Sequence, residues 1–539
     1  MRSRSVFVSA ALFSLTVLAA LSAPSCSSDE KPTPENPQEP PSSLPPNPAP
    51  PPLAITNPIL PGDYADPSVV RVGEEYWATA TSSEWAPQFP LLKSKDLLQW
   101  EMVGTIFQTP PEWSEANYWA PELVVDGGRY FVLYTAKKKG GPLCVGLATA
   151  SSVSGPYTDH GALVCQDLGS IDGALIRDEN NKLFLVWKED GNSQGLPTPI
   201  WAQPLAEDTL QLTGERTALI LNDVPWEGQL VEAPHLVRRN GFFYMFYAGS
   251  GCCGKACNYG VGVARSKNLL SGWEKNPLNP ILKTNEAFRC PGHGSVVTDA
   301  LGRDYFLYHA YRTTDSVYAG RQGMLDPITW DANGWPSINA RRGPGGQVLA
   351  KPAPFFEDFT SATPVLGWQW PNGRKPVTSI SEGELTLAPP AAQAADRAGG
   401  VLARSSPSGN YAADAVLDVR ALSDGTVAGL SAYGDLDNSL GIALNGGQLE
   451  LWRRQGANTT IPFTAPAPAG SKLYLRMTAR QGYLYRFAVS TDGTTWTSVG
   501  GELNGDYLPP WDRAVRVALT AGGATGASAK FDSLRITPQ

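Results

Sequence analysis

Three acids, Asp66, Asp172 and Glu232, stand at or beside the same place in a pattern that the chain repeats five times. Two carboxyl groups on opposite sides of a glycosidic bond can hydrolyse it. One, protonated, donates to the leaving oxygen while the other, ionised, activates water or attacks directly. Crowding carboxylates raises the pKa of one of them, and that separates the two roles. A single such residue is an ordinary strand or turn cap; recurrence at equivalent places is what points these three to chemistry.

The repeat that positions them begins Asp66-Pro67-Ser68-Val69-Val70, Ala120-Pro121-Glu122-Leu123-Val124, Asp172-Gly173-Ala174-Leu175-Ile176, Ala233-Pro234-His235-Leu236-Val237 and His293-Gly294-Ser295-Val296-Val297. The heads at 66, 120, 172, 233 and 293 are 54, 52, 61 and 60 residues apart. An unbroken apolar run follows each head, as in Leu183-Phe184-Leu185-Val186-Trp187, and suits a strand buried on both faces. A long repeat made only of strand and turn predicts an all-β chain with a five-bladed β-propeller over 55–350, its equivalent positions facing one axis. From 355 to 539 the pattern changes to alternating strands with an Asp492-Gly493 hairpin signal, which predicts a β-sandwich. The segment Ser490–Trp496 looks like a sialidase Asp-box, but one copy outside the propeller reads as a hairpin turn.

The first 26 residues read as a lipoprotein-type export signal: Arg2 and Arg4, an apolar run, then Ala23-Pro24-Ser25-Cys26, with Cys26 as the lipidated residue. Simple secretion is the alternative. Residues 27–54 form a proline-rich spacer, with eleven prolines between 32 and 52. With a net charge of -8 and no Lys/Arg-rich run, nothing argues for nucleic acid, and the membrane is reached only through the anchor at Cys26. The six cysteines from Cys144 to Cys290 suit disulfides in an exported chain. Cys144 and Cys165 are placed to pair locally, while Cys252, Cys253, Cys257 and Cys290 allow three connectivities, one of them vicinal. Their spacing lacks a C-x2-C pair, against a zinc site.

The segments Pro61–Val69, Tyr118–Glu122, Ser170–Gly173, Val231–Pro234 and Gly292–Ser295 closely resemble glycoside hydrolase family 43, the five-bladed propeller enzymes that act on arabinans and xylans. The resemblance implies Asp66 as general base, Glu232 as general acid and Asp172 as the residue that tunes and orients the acid, with inversion at the anomeric carbon. It also implies Arg321 near the sugar pocket. His293 is placed at the axis, contacting substrate and, through water, a Ca2+ or other ion; no cofactor is required. Trp119 is an aromatic candidate for the pocket wall. Asp63 is left as a turn residue and Glu122 without a catalytic role. Phe356–Phe359, Leu366–Trp370 and Phe531–Arg535 are similar to the concanavalin-like β-sandwich appended to family 43 β-xylosidases.

The leading expectation is an exo-acting enzyme that removes α-L-arabinofuranosyl units from plant cell-wall polysaccharide. A β-D-xylosidase or endo-arabinanase of the same family is the alternative. A non-catalytic carbohydrate-binding surface lipoprotein is the reading from another class, and the intact acids argue against it. Sialidase lacks the repeated Asp-boxes.

Overall fold

The apolar strands, bounded by Gly and Asp turns, form five antiparallel four-stranded sheets in the computed structural model, which describes residues 52–509 and 511–539. Their innermost strands are Ser68–Val72, Ser114–Asp126, Ser170–Arg177, Val231–Arg239 and Phe288–Thr298. Each contacts the next and the fifth contacts the first, closing a five-bladed propeller. Second strands such as Leu183–Glu189 and Phe242–Gly249 are buried along most of their length, as unbroken apolar runs require. The ring is fastened by Thr56–Asn57, paired in parallel with Gln347–Val348. Asn57 donates to the carbonyls of Leu325 and Gly345 and accepts from the Leu325 N–H.

All five heads share a backbone state that the sequence does not announce. Asp66, Ala120, Asp172, Ala233 and His293 have φ of 50°, 44°, 57°, 58° and 36°. The left-handed region costs a residue other than glycine about 1–3 kcal/mol, so five such positions mark a conformation the fold enforces. In blades two to five the strand pairing slips at the head, as a bulge does. The preceding blade supplies much of the compensation. The Ala120 N–H donates to Thr81 Oγ1 at 2.7 Å, the Asp172 N–H to Thr135 Oγ1 at 3.1 Å and the Asp66 N–H to His309 Nδ1 at 3.0 Å.

Beyond residue 355 two antiparallel sheets stack into the expected sandwich, with a core that includes Leu417, Leu430, Ile442, Leu475 and Phe531. The Asp492-Gly493 turn is a hairpin. Asp492 Oδ1 accepts from the N–H groups of Thr494 and Thr495, and Leu484–Ser490 pairs with Thr497–Asn504. The sandwich is seated on the propeller. Trp370–Pro371 pairs with Trp85–Ala86 of the first blade, and Arg516, 2% exposed, reaches Asp63 Oδ2 at 3.0 Å. Asp63, left as a turn residue by the sequence, is therefore a pin between the two domains. The export signal, Cys26 and the spacer up to residue 51 lie outside the described residues. No helix among the described residues is long and apolar enough to cross a membrane.

Three disulfides form among the described residues. Cys144 and Cys165 face each other across adjacent strands of the second blade. Of the three arrangements open to the other four cysteines, the fold takes the vicinal one, Cys252–Cys253 with Cys257–Cys290.

Candidate active site

At one mouth of the ring lies a cavity of about 290 Å³ lined by Asp66, Asp172, Glu232 and His293, with Trp119 and Arg321 in its wall. All six residues singled out by the sequence thus meet at one place. His293 Nδ1 is 3.5 Å from Asp66 Oδ1 and 4.0 Å from Asp172 Oδ2, so one imidazole nitrogen sits between two of the acids.

Asp66 is built to stay ionised. Burial opposes its charge most strongly, but the Arg321 guanidinium, together with the other groups around the carboxyl, outweighs it and holds the carboxyl well below the usual range. Arg321 Nη1 donates to Oδ1 at 2.8 Å and Thr81 Oγ1 donates to Oδ2 at 2.7 Å. His309 Nδ1 also lies 3.2 Å from Oδ1, yet that nitrogen accepts from the Asp66 N–H. Burial pushes His309 down to about 4, so the ring is neutral at pH 7 with its proton on Nε2, and it has none to give Asp66. We therefore credit Arg321 and Thr81 with holding the charge.

Asp172 and Glu232 are pushed apart. Burial, with the charge of Glu232, raises Asp172 to about 6 despite the neighbouring His293 and Lys188. Burial also pulls Glu232 upward, but Lys188 and Tyr259 win and lower it. Lys188 Nζ donates to Glu232 Oε2 at 2.8 Å and Tyr259 OH donates to Oε1 at 2.7 Å. Of the crowded pair, the carboxyl that is raised is Asp172. The two acids are joined through the backbone, where the Ala233 N–H donates to Asp172 Oδ2 at 2.9 Å.

The sequence reading gave no role to Lys188, Tyr259, His309 or the sandwich residues Trp511 and Asp512. One signal was available for two of them. Thr81, Thr135, Lys188, Ala248 and His309 follow their heads by 15 or 16 residues, a second repeated position on the second strands or, for Thr81, just past the end of one. Trp511 and Asp512 carry no such mark, since a turn 190 residues beyond Arg321 reveals its target only when folded. Trp511 meets Trp119 edge to face, with ring centroids 5.9 Å apart, and the Asp512 carbonyl accepts from Arg321 Nη2 at 3.2 Å.

The residues at the axis do not suit a directly ligated Ca2+, which takes six to eight oxygens. Both Asp66 oxygens are engaged, and no group of three or more Asp, Glu, His or Cys side chains among the described residues is arranged to hold a metal. Glu122 lies away from the cavity, with its Oε1 2.8 Å from His235 Nδ1.

Residues 55–336 match the family model described as glycosyl hydrolases family 43, and residues 357–533 match one described as a beta xylosidase C-terminal concanavalin A-like domain. A xylosidase/arabinosidase of Butyrivibrio fibrisolvens is 29% identical over 53% of this chain and 57% of its own length. A non-reducing end alpha-L-arabinofuranosidase of Bacteroides ovatus is 26% identical over 60% of this chain and 62% of its own. The chain thus spans little more than half the length of these curated relatives. The solved family 43 protein BlXynB of Bacillus licheniformis overlays 90% of this chain and all of its own with a TM-score of 0.77 at 24% identity, a likeness of fold.

Proposed function

The chain belongs to glycosyl hydrolases family 43, and from that premise we propose that it is an inverting, exo-acting glycosidase releasing α-L-arabinofuranosyl units from plant cell-wall polysaccharide. The observation that carries the reading is the arrangement within one cavity: Asp66 bonded to Arg321 and Thr81, facing Glu232, which is bonded to Lys188 and Tyr259 with Asp172 fastened to the backbone beside it. Asp66 takes a proton from water as that water attacks the anomeric carbon. Glu232 protonates the leaving oxygen. Substrate entering the pocket deepens the burial that already pulls Glu232 upward, and its leaving oxygen gives the pair's proton an acceptor on the Glu232 side. Asp172, bonded to the backbone beside Glu232, supplies that proton and orients the acid. Arg321 keeps the base charged, and Trp119 offers an apolar face to a sugar ring. Exo action is supported by Asp512, whose carbonyl accepts from Arg321 and helps close the end of the cavity beyond the residue to be released.

A β-D-xylosidase is the second reading, favoured by the match of the C-terminal sandwich to the beta xylosidase domain. Initial rates on 4-nitrophenyl α-L-arabinofuranoside and β-D-xyloside, with product analysis on arabinan and xylan, decide between them. Turnover of neither aryl glycoside and of neither polymer would remove both.

A further inference from the structure

The fourth blade carries a loop, residues 250–259, between its second and third strands. It leaves from Gly249, beside the Ala248 that pairs with Glu232, and returns at Gly260, which pairs with Gly249. The loop therefore stands over the strand of the acid, and its last residue is Tyr259, which donates to Glu232. The adjacent Cys252 and Cys253 are joined to each other and line the cavity together with Leu230 and Trp511.

The loop is held from several sides. Cys257–Cys290 ties it to the fifth blade, and the Gly254 N–H donates to Tyr311 OH at 3.3 Å. Lys255 Nζ donates to the Asp506 carbonyl of the sandwich at 2.7 Å. A side chain on Gly254 would come within 3.4 Å of the Trp511 carbonyl, so this loop and the sandwich loop meet at the rim.

A disulfide has no hydrogen to donate and accepts only weakly, while its sulfurs are large and polarizable. Two adjacent cysteines closed in a ring have no rotamer freedom to lose when a ligand arrives. Such a wall suits the C–H face of a sugar ring and offers nothing to its hydroxyl edge. The position says which ring. The pocket floor, with Asp66, Arg321 and His293, faces the residue to be released, whereas the wall stands between the acid and the rim, where Trp511 is 57% exposed. That is the side on which the protonated leaving group sits.

We propose that the Cys252–Cys253 disulfide, with Leu230 and Trp511, is the binding wall for the leaving-group sugar, packing against its C–H face. The proposal rests on the glycosidase reading, and binding can be read apart from turnover in a Glu232→Gln background. Calorimetry with 1,5-α-arabinotriose, 1,4-β-xylotriose, L-arabinose and D-xylose compares that protein with the one also carrying Cys252→Ala and Cys253→Ala. The wall predicts trisaccharide binding weakened about tenfold and monosaccharide binding changed less than twofold, on the scale of one apolar sugar face lost. Equal weakening of both, or of neither, overturns it. If the double alanine protein does not fold, brief phosphine reduction of the Glu232→Gln protein, with the opened cysteines mapped by alkylation and mass, must give the same trisaccharide-only loss. A wild type that turns over no glycoside while this difference persists removes the glycosidase reading and leaves the wall. Absence of any trisaccharide binding by the Glu232→Gln protein removes the wall as well.

Discussion

Replacing Lys188 by Met should move the alkaline limb of the pH–rate profile upward. Lys188 is 1% exposed, and its ammonium donates to Glu232 Oε2 and Asp190 Oδ1, each at 2.8 Å. A unit charge at that distance, with an effective dielectric constant of about 20, stabilises ionised Glu232 by at most about 6 kcal/mol. Asp190 shares the ammonium, and one opposite charge nearby lowers a carboxyl by about 1–3 in pKa, so the smaller figures apply. The sign follows from the role. The acid must carry a proton, Lys188 favours its loss, and removing Lys188 lets the Asp172–Glu232 pair keep its proton to higher pH. The wild-type limb should fall near pH 6, where Asp172 holds its proton, and the variant's at about pH 7.5. The assay is kcat/KM from pH 4 to 9 on an arabinobiose or xylobiose, whose poor leaving group needs the acid, with thermal melts to show both proteins folded. Methionine keeps the unbranched stem without the ammonium, so a change of packing alone leaves the limb in place. A limb that stays near pH 6 or moves down refutes the assignment of Lys188 to the acid.

Glu232→Gln should lower kcat on the disaccharide by about 10²–10⁴ while trisaccharide still binds. On a 2,4-dinitrophenyl glycoside, whose leaving group needs little protonation, the loss should be much smaller; equal losses on both would take the acid role from Glu232. Asp63→Ala leaves the buried Arg516 cation without its carboxylate and should cost about 3–5 kcal/mol at the domain junction, read as a fall in Tm; an unchanged Tm would show that the pin carries no load. Exhaustive chelation of divalent cations should leave kcat/KM unchanged, because both oxygens of the base are already bonded within the protein. A loss restored by added Ca2+ would place an ion in the mechanism.

The propeller, its five heads and the three acids were legible because they recur. Recurrence in sequence becomes equivalence around an axis, and a buried strand must be apolar wherever it recurs. Lys188 and Tyr259, which tune the acid, were not legible, because each acts on a group distant in the chain, Glu232 lying 44 residues from the first and 27 from the second. Arg321 was legible only through the family resemblance, since the acid it bonds lies 255 residues away. Tyr259 reads as one more aromatic ahead of a strand until its loop is folded over Glu232. Lys188 reads as a solvated terminus, the ordinary place of a lysine at a strand end.

The second repeated position explains why the acid pair belongs to blades three and four. In blades one, two and five it holds Thr81, Thr135 and His309, each of which accepts the N–H of the next blade's head. In blade three it holds Lys188, and an ammonium has no lone pair to accept with. The head N–H of blade four, at Ala233, must find another acceptor or stay buried and unmet at a cost of about 1–3 kcal/mol. It takes Asp172 Oδ2, the side chain of the preceding head. That single replacement has two effects: it fastens Asp172 to the backbone beside Glu232, and it leaves the lysine's own hydrogens free for the Glu232 carboxylate. A threonine there would restore the regular bond, release Asp172 and remove the cation in one step. Lys188→Thr should therefore cost more activity than Lys188→Met while disturbing the fold less. If the two variants lose activity equally, Asp172 is held by something other than the acceptor missing at position 188.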